Sequence, residues 1–183
     1  MQITQAQTTT ELLAILQLQQ ANLPHNISKE EAMKQGFVTV IHDLSLLQRM
    51  NDTAPHTIAK DDDIVVGYCL SMLPSFRNEI PVLIPMFEMI DTLFWKGKPL
   101  SQISYFVMGQ TCVAKTYRGQ GVFDALYLEL KDFFKTRFEV VVTEISKRNL
   151  RSWRAHQRVG FELIYEYEDP SGEIWLLVAW NLL

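Results

Sequence analysis

The sequence predicts an α/β (α+β) protein whose core is a mixed, mostly antiparallel sheet of about six or seven strands, flanked by about four or more helices. Two observations lead to this prediction. Residues 57–60 and 64–73 have the pattern of two strands on either side of three consecutive aspartates, which is typical of a β-hairpin. Residues 103–113 and 140–145 have the pattern of two further strands, with a helical pattern between them. Because a helical crossover joins parallel strands, we expect this pair to be parallel in an otherwise antiparallel sheet.

The composition limits the class of protein. The chain has 183 residues, of which 48% are hydrophobic and 21% are charged, as in globular proteins. This size fits one domain over residues 1–183 with an insertion. The net charge of −4 argues against a nucleic-acid partner, because phosphate binding needs a basic field. The longest apolar stretch, residues 80–95, contains prolines and acidic residues, so we also expect no membrane partner.

Two further features favour the cytoplasm. Cys69 and Cys112 lie in strand-like apolar runs. This indicates buried thiols in a reduced compartment, and their spacing matches neither a disulfide framework nor a metal site. The first ten residues are polar and lack the basic and apolar regions of a signal peptide. We therefore expect a cytoplasmic protein that needs no metal.

The N-terminal part of the chain is predicted to hold a strand and three helices. Residues 1–7 alternate weakly, as in a strand, and Thr8 to Glu11 has the pattern of a helix start. This first helix should end at Leu23 and Pro24. A short helix through Met33 and Lys34 and a third helix over residues 43–50 should follow.

Residues 74–99 interrupt the strand pattern. Apolar residues, including two methionines, recur there at helical intervals, which predicts a helical insertion packed on the core. The same flexible, polarizable surface suits one wall of a pocket for an irregular apolar ligand, and the two interpretations are compatible. Near the C-terminus, residues 162–168 and 173–181 have the pattern of strands joined by a type I turn.

The rest of the chain is organised around a glycine-rich turn at residues 118–123, Arg-Gly-Gln-Gly-Val-Phe. The turn follows strand 103–113 and opens a helix. We expect the buried stripe of that helix at Val122, Leu126, Leu130 and Phe133. Such a turn directs backbone N–H groups at the positive end of the helix dipole, where they suit an anion such as a diphosphate. Taken alone, the pattern also fits a tight loop. The Lys-Ser/Thr of a P-loop and the third glycine of a dinucleotide-binding turn are missing.

A second informative stretch covers residues 140–161. A buried strand is followed by Asn149 in a capping position, and a short helix then ends at Gly160 before the apolar Phe161. Asn149, Ser152 and His156 should share one face of this helix. We expect two other residues to carry the packing of the helix: Trp153 and Val159.

In this order, the two stretches resemble the GNAT superfamily of acyl-CoA-dependent N-acyltransferases, and together they cover about a quarter of the chain. The resemblance implies an N-acetyltransferase that takes acetyl-CoA as co-substrate and a primary amine of a small molecule or protein as acceptor. The resemblance is compatible with a homodimer. The coenzyme-binding residues that it implies are Cys112, Val113, Arg118, Gly119, Gln120, Gly121, Val122, Phe123, Asn149 and Ser152.

Within this implied set, the backbone of residues 118–123 would hold the coenzyme diphosphate. The strand edge at Cys112 and Val113 would pair with the pantetheine arm, and a backbone N–H there would polarise the thioester carbonyl. The family usually has Gly or Ala where this chain has Phe123. This departure from the family affects the closest contact between the backbone and the coenzyme diphosphate, but it leaves the turn itself intact.

The resemblance also implies two catalytic candidates. His156 stands where the family often has a tyrosine that donates a proton to the leaving thiolate, and a histidine there could instead only hydrogen-bond the cofactor or solvent. Glu144, on the strand before the helix, is the nearest carboxylate for a general base. A core-facing strand residue, a water chain to a distant carboxylate, or catalysis by positioning without a base are alternatives.

Two classes of function follow from the resemblance. The protein is either an acyl-CoA-dependent N-acetyltransferase or a non-catalytic acyl-CoA-binding module that serves as a sensor or subunit. The presence of Asn149 and of a plausible donor at His156 favours the enzyme.

Overall fold

A computed structural model describes residues 1–28, 30, 38 and 40–183. The strands are β1 Gln2–Gln5, β2 Thr57–Asp61, β3 Ile64–Met72, β4 Phe94–Trp95, β5 Lys98–Pro99, β6 Tyr105–Val113, β7 Val140–Ser146, β8 Glu162–Glu168 and β9 Ile174–Asn181. The α-helices in these residues are α1 Thr9–Ala21, α2 Leu44–Thr53, α3 Ile84–Thr92, α4 Val122–Phe134 and α5 Leu150–Val159. The predicted short helix through Met33 and Lys34 lies outside the described residues. No helix among the described residues has the length and apolar character that crossing a membrane requires.

Seven of the strands form one sheet, in the order β1-β2-β3-β6-β7-β9-β8. Strands β6 and β7 are parallel, with Tyr105–Val107 opposite Val140–Val142, whereas β1-β2, β2-β3, β7-β9 and β8-β9 are antiparallel. The predicted mixed, mostly antiparallel sheet is therefore confirmed. The predicted parallel pair around the glycine-turn helix is confirmed as well.

The chain divides into two compact units, residues 1–72 with 108–132 and residues 73–107 with 133–183. In the first unit, α1 begins with the predicted capping box, in which Thr8 and Glu11 bond each other's backbone N–H groups. The apolar side of α1 packs on the β2-β3 hairpin, and Leu12, Ile15 and Tyr68 are fully buried there. Burial of this size is the main source of stability for such a unit.

Gly67 in β3 combines the two roles expected for a glycine inside a strand. The register between β2 and β3 shifts at this point, because Ala59 is opposite Gly67 while Lys60 is opposite Val65. A Cβ on Gly67 would lie 3.2 Å from the carbonyl oxygen of Cys112, so a side chain would push the two backbones apart. Gly67 thus holds β3 close to the end of β6 that leads into the glycine turn.

The buried stripe of α4 differs from the prediction at its last position. Val122, Leu126 and Leu130 are buried, but Phe133 is 43% exposed and Phe134 takes the buried place. The reason is geometric, because residues four apart continue the same helix face and 134 follows 130 on that face. In the second unit, the Phe134 ring contacts Phe106 at 4.6 Å and Phe138 at 5.7 Å between centroids.

The segment 74–99 is only partly helical. It holds two short 3-10 turns and α3, and its last residues form the hairpin β4-β5, which was not predicted. Lys96 and Gly97 both have positive φ, 47° and 85°, which is the geometry of a tight hairpin turn. The side chain of Arg77 donates to both carboxylate oxygens of Asp91, at 2.7 and 2.9 Å, and so fixes the start of the segment to α3.

Candidate functional site

The glycine turn has the backbone that the sequence predicts. Strand β6 ends at Val113, and a 3-10 turn over Lys115–Tyr117 leads to Gly119 and Gly121, whose φ angles are 76° and 79°. These values favour glycine. A Cβ added at either glycine would meet no other atom within 4 Å, so the space in front of the turn is open. Helix α4 begins directly afterwards at Val122, so the positive end of its dipole lies at the turn, which favours an anion there.

The side chain of Arg118 serves the architecture of the turn. Its Nε donates to the carbonyl oxygen of Val113 at 3.0 Å, and one terminal nitrogen donates to Oδ1 of Asn22 at 2.6 Å. Asn22 is the buried C-cap of α1 and also donates to the carbonyl oxygen of Leu18. Arg118 therefore ties the turn to the end of α1. Sequence reasoning missed Asn22, because nothing local relates it to a residue so distant in the chain.

Phe123 stands where the resembled family usually has Gly or Ala. Its side chain is partly buried, and its ring contacts the Tyr127 ring one turn later, with 4.8 Å between centroids. The neighbouring Val122 is buried, whereas Gln120 is exposed and donates to the carbonyl oxygen of Thr116 at 2.7 Å. The ring of Phe123 is thus held along the helix.

At the end of β6, the backbone groups of Cys112 and Val113 are better suited to binding a ligand than their side chains are. Cys112 is buried, and burial raises the pKa of its thiol to about 12, so the thiol is neutral and unreactive at neutral pH. Val113 is half-buried, and its carbonyl oxygen accepts the bond from Arg118. Cys112 and Val113 are therefore suited to contact a ligand through the backbone at the edge of the strand.

Glu144 is the titratable group whose environment best fits proton transfer. It lies on β7 in the second unit, and its Oε2 accepts a 2.5 Å hydrogen bond from the hydroxyl of Tyr167 on β8. Burial raises the pKa of the Glu144 carboxyl to about 7, the charge of Asp169 adds to the rise, and the bond from Tyr167 opposes it. A carboxyl with this pKa can accept a proton near neutral pH and release it again. Tyr167 was not predicted, because only the strand pairing brings it to Glu144.

Helix α5 begins and ends as predicted. The Oδ1 of Asn149 accepts from the backbone N–H of Ser152 at 3.1 Å, so Asn149 is the N-cap. Gly160 ends the helix with a φ of 117°, and a Cβ there would lie 2.6 Å from Nε1 of Trp180. Both residues have structural roles in the helix.

His156 packs differently from what we expected. It is the buried residue of α5, whereas Trp153 and Val159, which were expected to carry the packing, are only half-buried. The ring stands edge-on to Phe161 at 5.1 Å. The expectation failed because helical spacing alone does not identify which side of α5 is buried, and the buried side is the one whose His156 contacts Phe161 beyond the C-cap.

The protonation of His156 follows from its surroundings. Burial lowers the pKa of its imidazole to about 4, so the ring is neutral at pH 7. Nδ1 lies 2.8 Å from the carbonyl oxygen of Ser152, which can only accept, so Nδ1 carries the proton and Nε2 is the basic nitrogen. A neutral ring in this tautomer is better suited to packing than to donating a proton to a thiolate.

Replacing His156 by alanine should therefore lower stability. We expect a loss of about 2 kcal/mol from the cavity and the lost contacts, which lowers the melting temperature by roughly 5 °C. Differential scanning calorimetry of His156→Ala against Gln157→Ala, an exposed neighbour, measures this. An unchanged melting temperature together with a tenfold lower kcat would instead assign His156 to proton donation.

Two more histidines are buried in the first unit. His42 accepts on Nδ1 from the side-chain amide of Gln19, and its pKa falls to about 4 because of burial. His56 bridges two backbones, since Nδ1 accepts from Ser71 N–H and Nε2 donates to the carbonyl oxygen of Leu47. Burial lowers its pKa to about 3. Both rings are therefore neutral parts of the core at pH 7.

The three buried histidines predict a loss of stability in mild acid. Between their unfolded pKa of 6.5 and their folded values near 3 to 4, the unfolded chain binds protons that the folded chain does not. Stability should therefore fall as the pH drops below 6.5, by about 1.4 kcal/mol per pH unit for each histidine. Glu144 acts in the opposite direction between pH 7 and 4.5, because its folded pKa is raised, and it offsets one histidine. Urea unfolding at pH 7 and pH 5 measures the net slope. Glu144→Gln should steepen that slope, and a flat profile would contradict this account.

The structure describes the two groups of candidate residues in separate units. Cys112, Val113 and residues 118–123 are in the first unit, where one strand end and one turn bring them together. Glu144, Asn149, Ser152 and His156 are in the second unit. There, Ser152 links Asn149 and His156 along α5, because its N–H donates to Asn149 and its carbonyl oxygen accepts from Nδ1 of His156. Glu144 pairs with Tyr167 in the same unit.

Comparisons with known proteins agree with this architecture. The model of the acetyltransferase (GNAT) family matches residues 14–161, and a search of curated proteins finds no match. Among solved structures, the ribosomal-protein-S18-alanine N-acetyltransferase from Escherichia coli is similar, with 13% identity, a TM-score of 0.63, and coverage of 99% of this chain and 93% of that chain. A ribosomal-protein-alanine N-acetyltransferase from Brucella melitensis has 19% identity, a TM-score of 0.63 and 99% coverage of both chains.

A third similar structure is a phosphinothricin acetyltransferase of the GNAT superfamily from Sinorhizobium meliloti, in complex with acetyl-CoA. It has 15% identity and a TM-score of 0.62, and covers 98% of this chain and 87% of that chain. At these identities the likeness shows the fold, while the family model extends over more than half of the sequence. With the open glycine turn and the parallel strand pair around it, these findings show that the chain belongs to the GNAT acetyltransferase family.

Proposed function

We propose that the protein is an N-acetyltransferase that transfers the acetyl group of acetyl-CoA to a primary amine of a small molecule or protein. The observation that carries the proposal is the half-buried Glu144 carboxyl on β7, which accepts a hydrogen bond from Tyr167 and whose pKa is raised by burial to about 7. An amine must lose a proton to attack a thioester, and a carboxylate with this pKa can take it.

The coenzyme would be held at the glycine turn and at the end of β6. The open space before Gly119 and Gly121 supports binding of the diphosphate to the backbone N–H groups of residues 118–123. The end of β6 at Cys112 and Val113 would pair with the pantetheine arm. The side chain of Arg118 would fix the turn through its bonds to Val113 and Asn22. These bonds favour a role of the Arg118 backbone in coenzyme binding over a direct contact of its side chain with the coenzyme. Bound acetyl-CoA supplies the thioester as the acyl donor.

The proton balance assigns Glu144 its role. The acceptor arrives as an ammonium ion and gives one proton to the Glu144 carboxylate, directly or through a water. The neutral amine then forms the C–N bond as the C–S bond breaks. A second proton from the nitrogen accounts for the thiol of the released coenzyme, so the reaction yields an amide, a thiol and one proton returned from Glu144 to solvent. Segment 74–99, with its buried Met86 and Phe87, would form one wall of the acceptor site.

Release of free thiol tests the proposal. The purified protein is incubated with acetyl-CoA and a panel of primary amines, including amino acids, polyamines and peptides with a free N-terminus, and thiol formation is followed with a chromogenic disulfide. We expect amine-dependent thiol release. Binding of acetyl-CoA in calorimetry without thiol release from any amine would favour the non-catalytic binding module.

A further inference from the structure

We propose that the acceptor amine is recognised as a cation by an aromatic-carboxylate face of the second unit, formed by Glu144, Tyr165, Tyr167 and Trp175. The inference rests on the proposed function, since it names the chemistry by which the acceptor of that reaction is bound. The ligand class is an organic ammonium ion whose charge lies against aromatic rings.

The strand register puts the four side chains on one face of the sheet. Leu177 of β9 is opposite Glu144 on one side and Tyr165 on the other. In the next row of the same face, Trp175 is opposite Ser146 and Tyr167. Side chains directly opposite each other share a face and have Cβ atoms about 5 Å apart, and alternate residues of a strand also share a face. The hydrogen bond from Tyr167 to Glu144 crosses between the two rows and agrees with this arrangement.

Two of the aromatic rings are held in place before any ligand arrives. The Tyr167 hydroxyl donates to Glu144, and the indole N–H of Trp175 donates to Oδ2 of Asp169 at 2.9 Å. Tyr167 and Trp175 are half-buried, while Tyr165 is 43% exposed. Large aromatic side chains that are fixed and still accessible are suited to binding, because little conformational entropy remains to be lost.

The charges around this face favour a cation. Hydrogen bonds from Ser171 and Trp175 lower the pKa of Asp169 to about 2, so a permanent negative charge lies beside the indole. The nearby cations Lys147 and Arg148 are paired with Glu166 and Glu173. A cation over aromatic rings beside a carboxylate is stabilised by the ring quadrupoles as well as by the charge.

Choline and its neutral isostere 3,3-dimethyl-1-butanol test this inference without requiring turnover. Titration calorimetry of the whole protein should show that choline binds and that the alcohol binds at least about tenfold more weakly. Equal binding of both compounds, or binding of neither, would overturn the inference. Amine-dependent thiol release without choline binding would leave the proposed function standing. Choline binding without any thiol release would leave the inference standing and count against the proposed function.

Variants of the exposed ring locate the site. Tyr165→Leu keeps an apolar side chain and removes the ring, so we expect about tenfold weaker choline binding. Tyr165→Phe, which restores the ring, should recover most of the affinity. Phe133→Leu is the matched control, because Phe133 is also 43% exposed in the same unit and lies on α4. Choline affinity that is unchanged in Tyr165→Leu, or equally reduced in Phe133→Leu, would contradict the assignment.

Discussion

Glu144→Gln is expected to lower kcat by at least about a hundredfold, because it removes the group that takes the proton of the amine. Glutamine has nearly the same shape and still accepts a hydrogen bond from Tyr167, so the fold and the affinity for acetyl-CoA should persist. Steady-state kinetics with a saturating amine measure the change in kcat, and calorimetry with acetyl-CoA provides the control. A variant with nearly full kcat would remove Glu144 from the reaction.

The pH profile separates a general base from a positioning residue. If Glu144 acts as the base, kcat/KM of the wild type should rise with pH through an apparent pKa near 7, and this limb should be absent in Glu144→Gln. Tyr167→Phe removes a hydrogen bond that lowers the pKa of Glu144, so its limb should move to higher pH. If the rise of kcat/KM with pH has the same apparent pKa in the wild type, Glu144→Gln and Tyr167→Phe, the rise reports the ionisation of a group other than Glu144.

Gly121→Val is expected to weaken acetyl-CoA binding by about a hundredfold, since the side chain would enter the open space where the diphosphate binds. The positive φ of 79° adds a strain of about 1 to 2 kcal/mol in stability. Gly97→Val is the matched control. Its φ is 85° and its Cβ would also meet no atom within 4 Å, but it lies in the β4-β5 turn. Calorimetric titration of both variants with acetyl-CoA measures the effect, and equal losses of affinity in the two would show that strain alone is responsible.

The glycine turn and the strands around it could be predicted because their signals are local. Two glycines close together before a helix, Gly119 and Gly121, indicate a turn with positive φ angles. The apolar runs before and after α4 identify two buried strands. A helical crossover then leaves only a parallel arrangement for the pair. The same local logic identified the caps of α5 at Asn149 and Gly160.

The features that sequence reasoning missed depend on contacts between distant residues. The bond between Glu144 and Tyr167 exists because β9 lies between their strands, and periodicity does not reveal strand order. The burial of His156 depends on which side of α5 meets its own unit. The β4-β5 hairpin was hidden because Phe94 and Trp95 continue a helical spacing, while the positive φ of Lys96 is unusual for a residue with a side chain.

The central claim, acetyl transfer from acetyl-CoA to an amine, is tested most directly by following the acetyl group itself. The protein is incubated with acetyl-CoA that carries an isotopically labelled acetyl group and with the amine that gives the fastest thiol release, and the products are identified by mass spectrometry. We predict that the label appears in an amide on the amine nitrogen and that Gly121→Val forms this product far more slowly. Label found only in free acetate, or left entirely on the coenzyme, would contradict the claim.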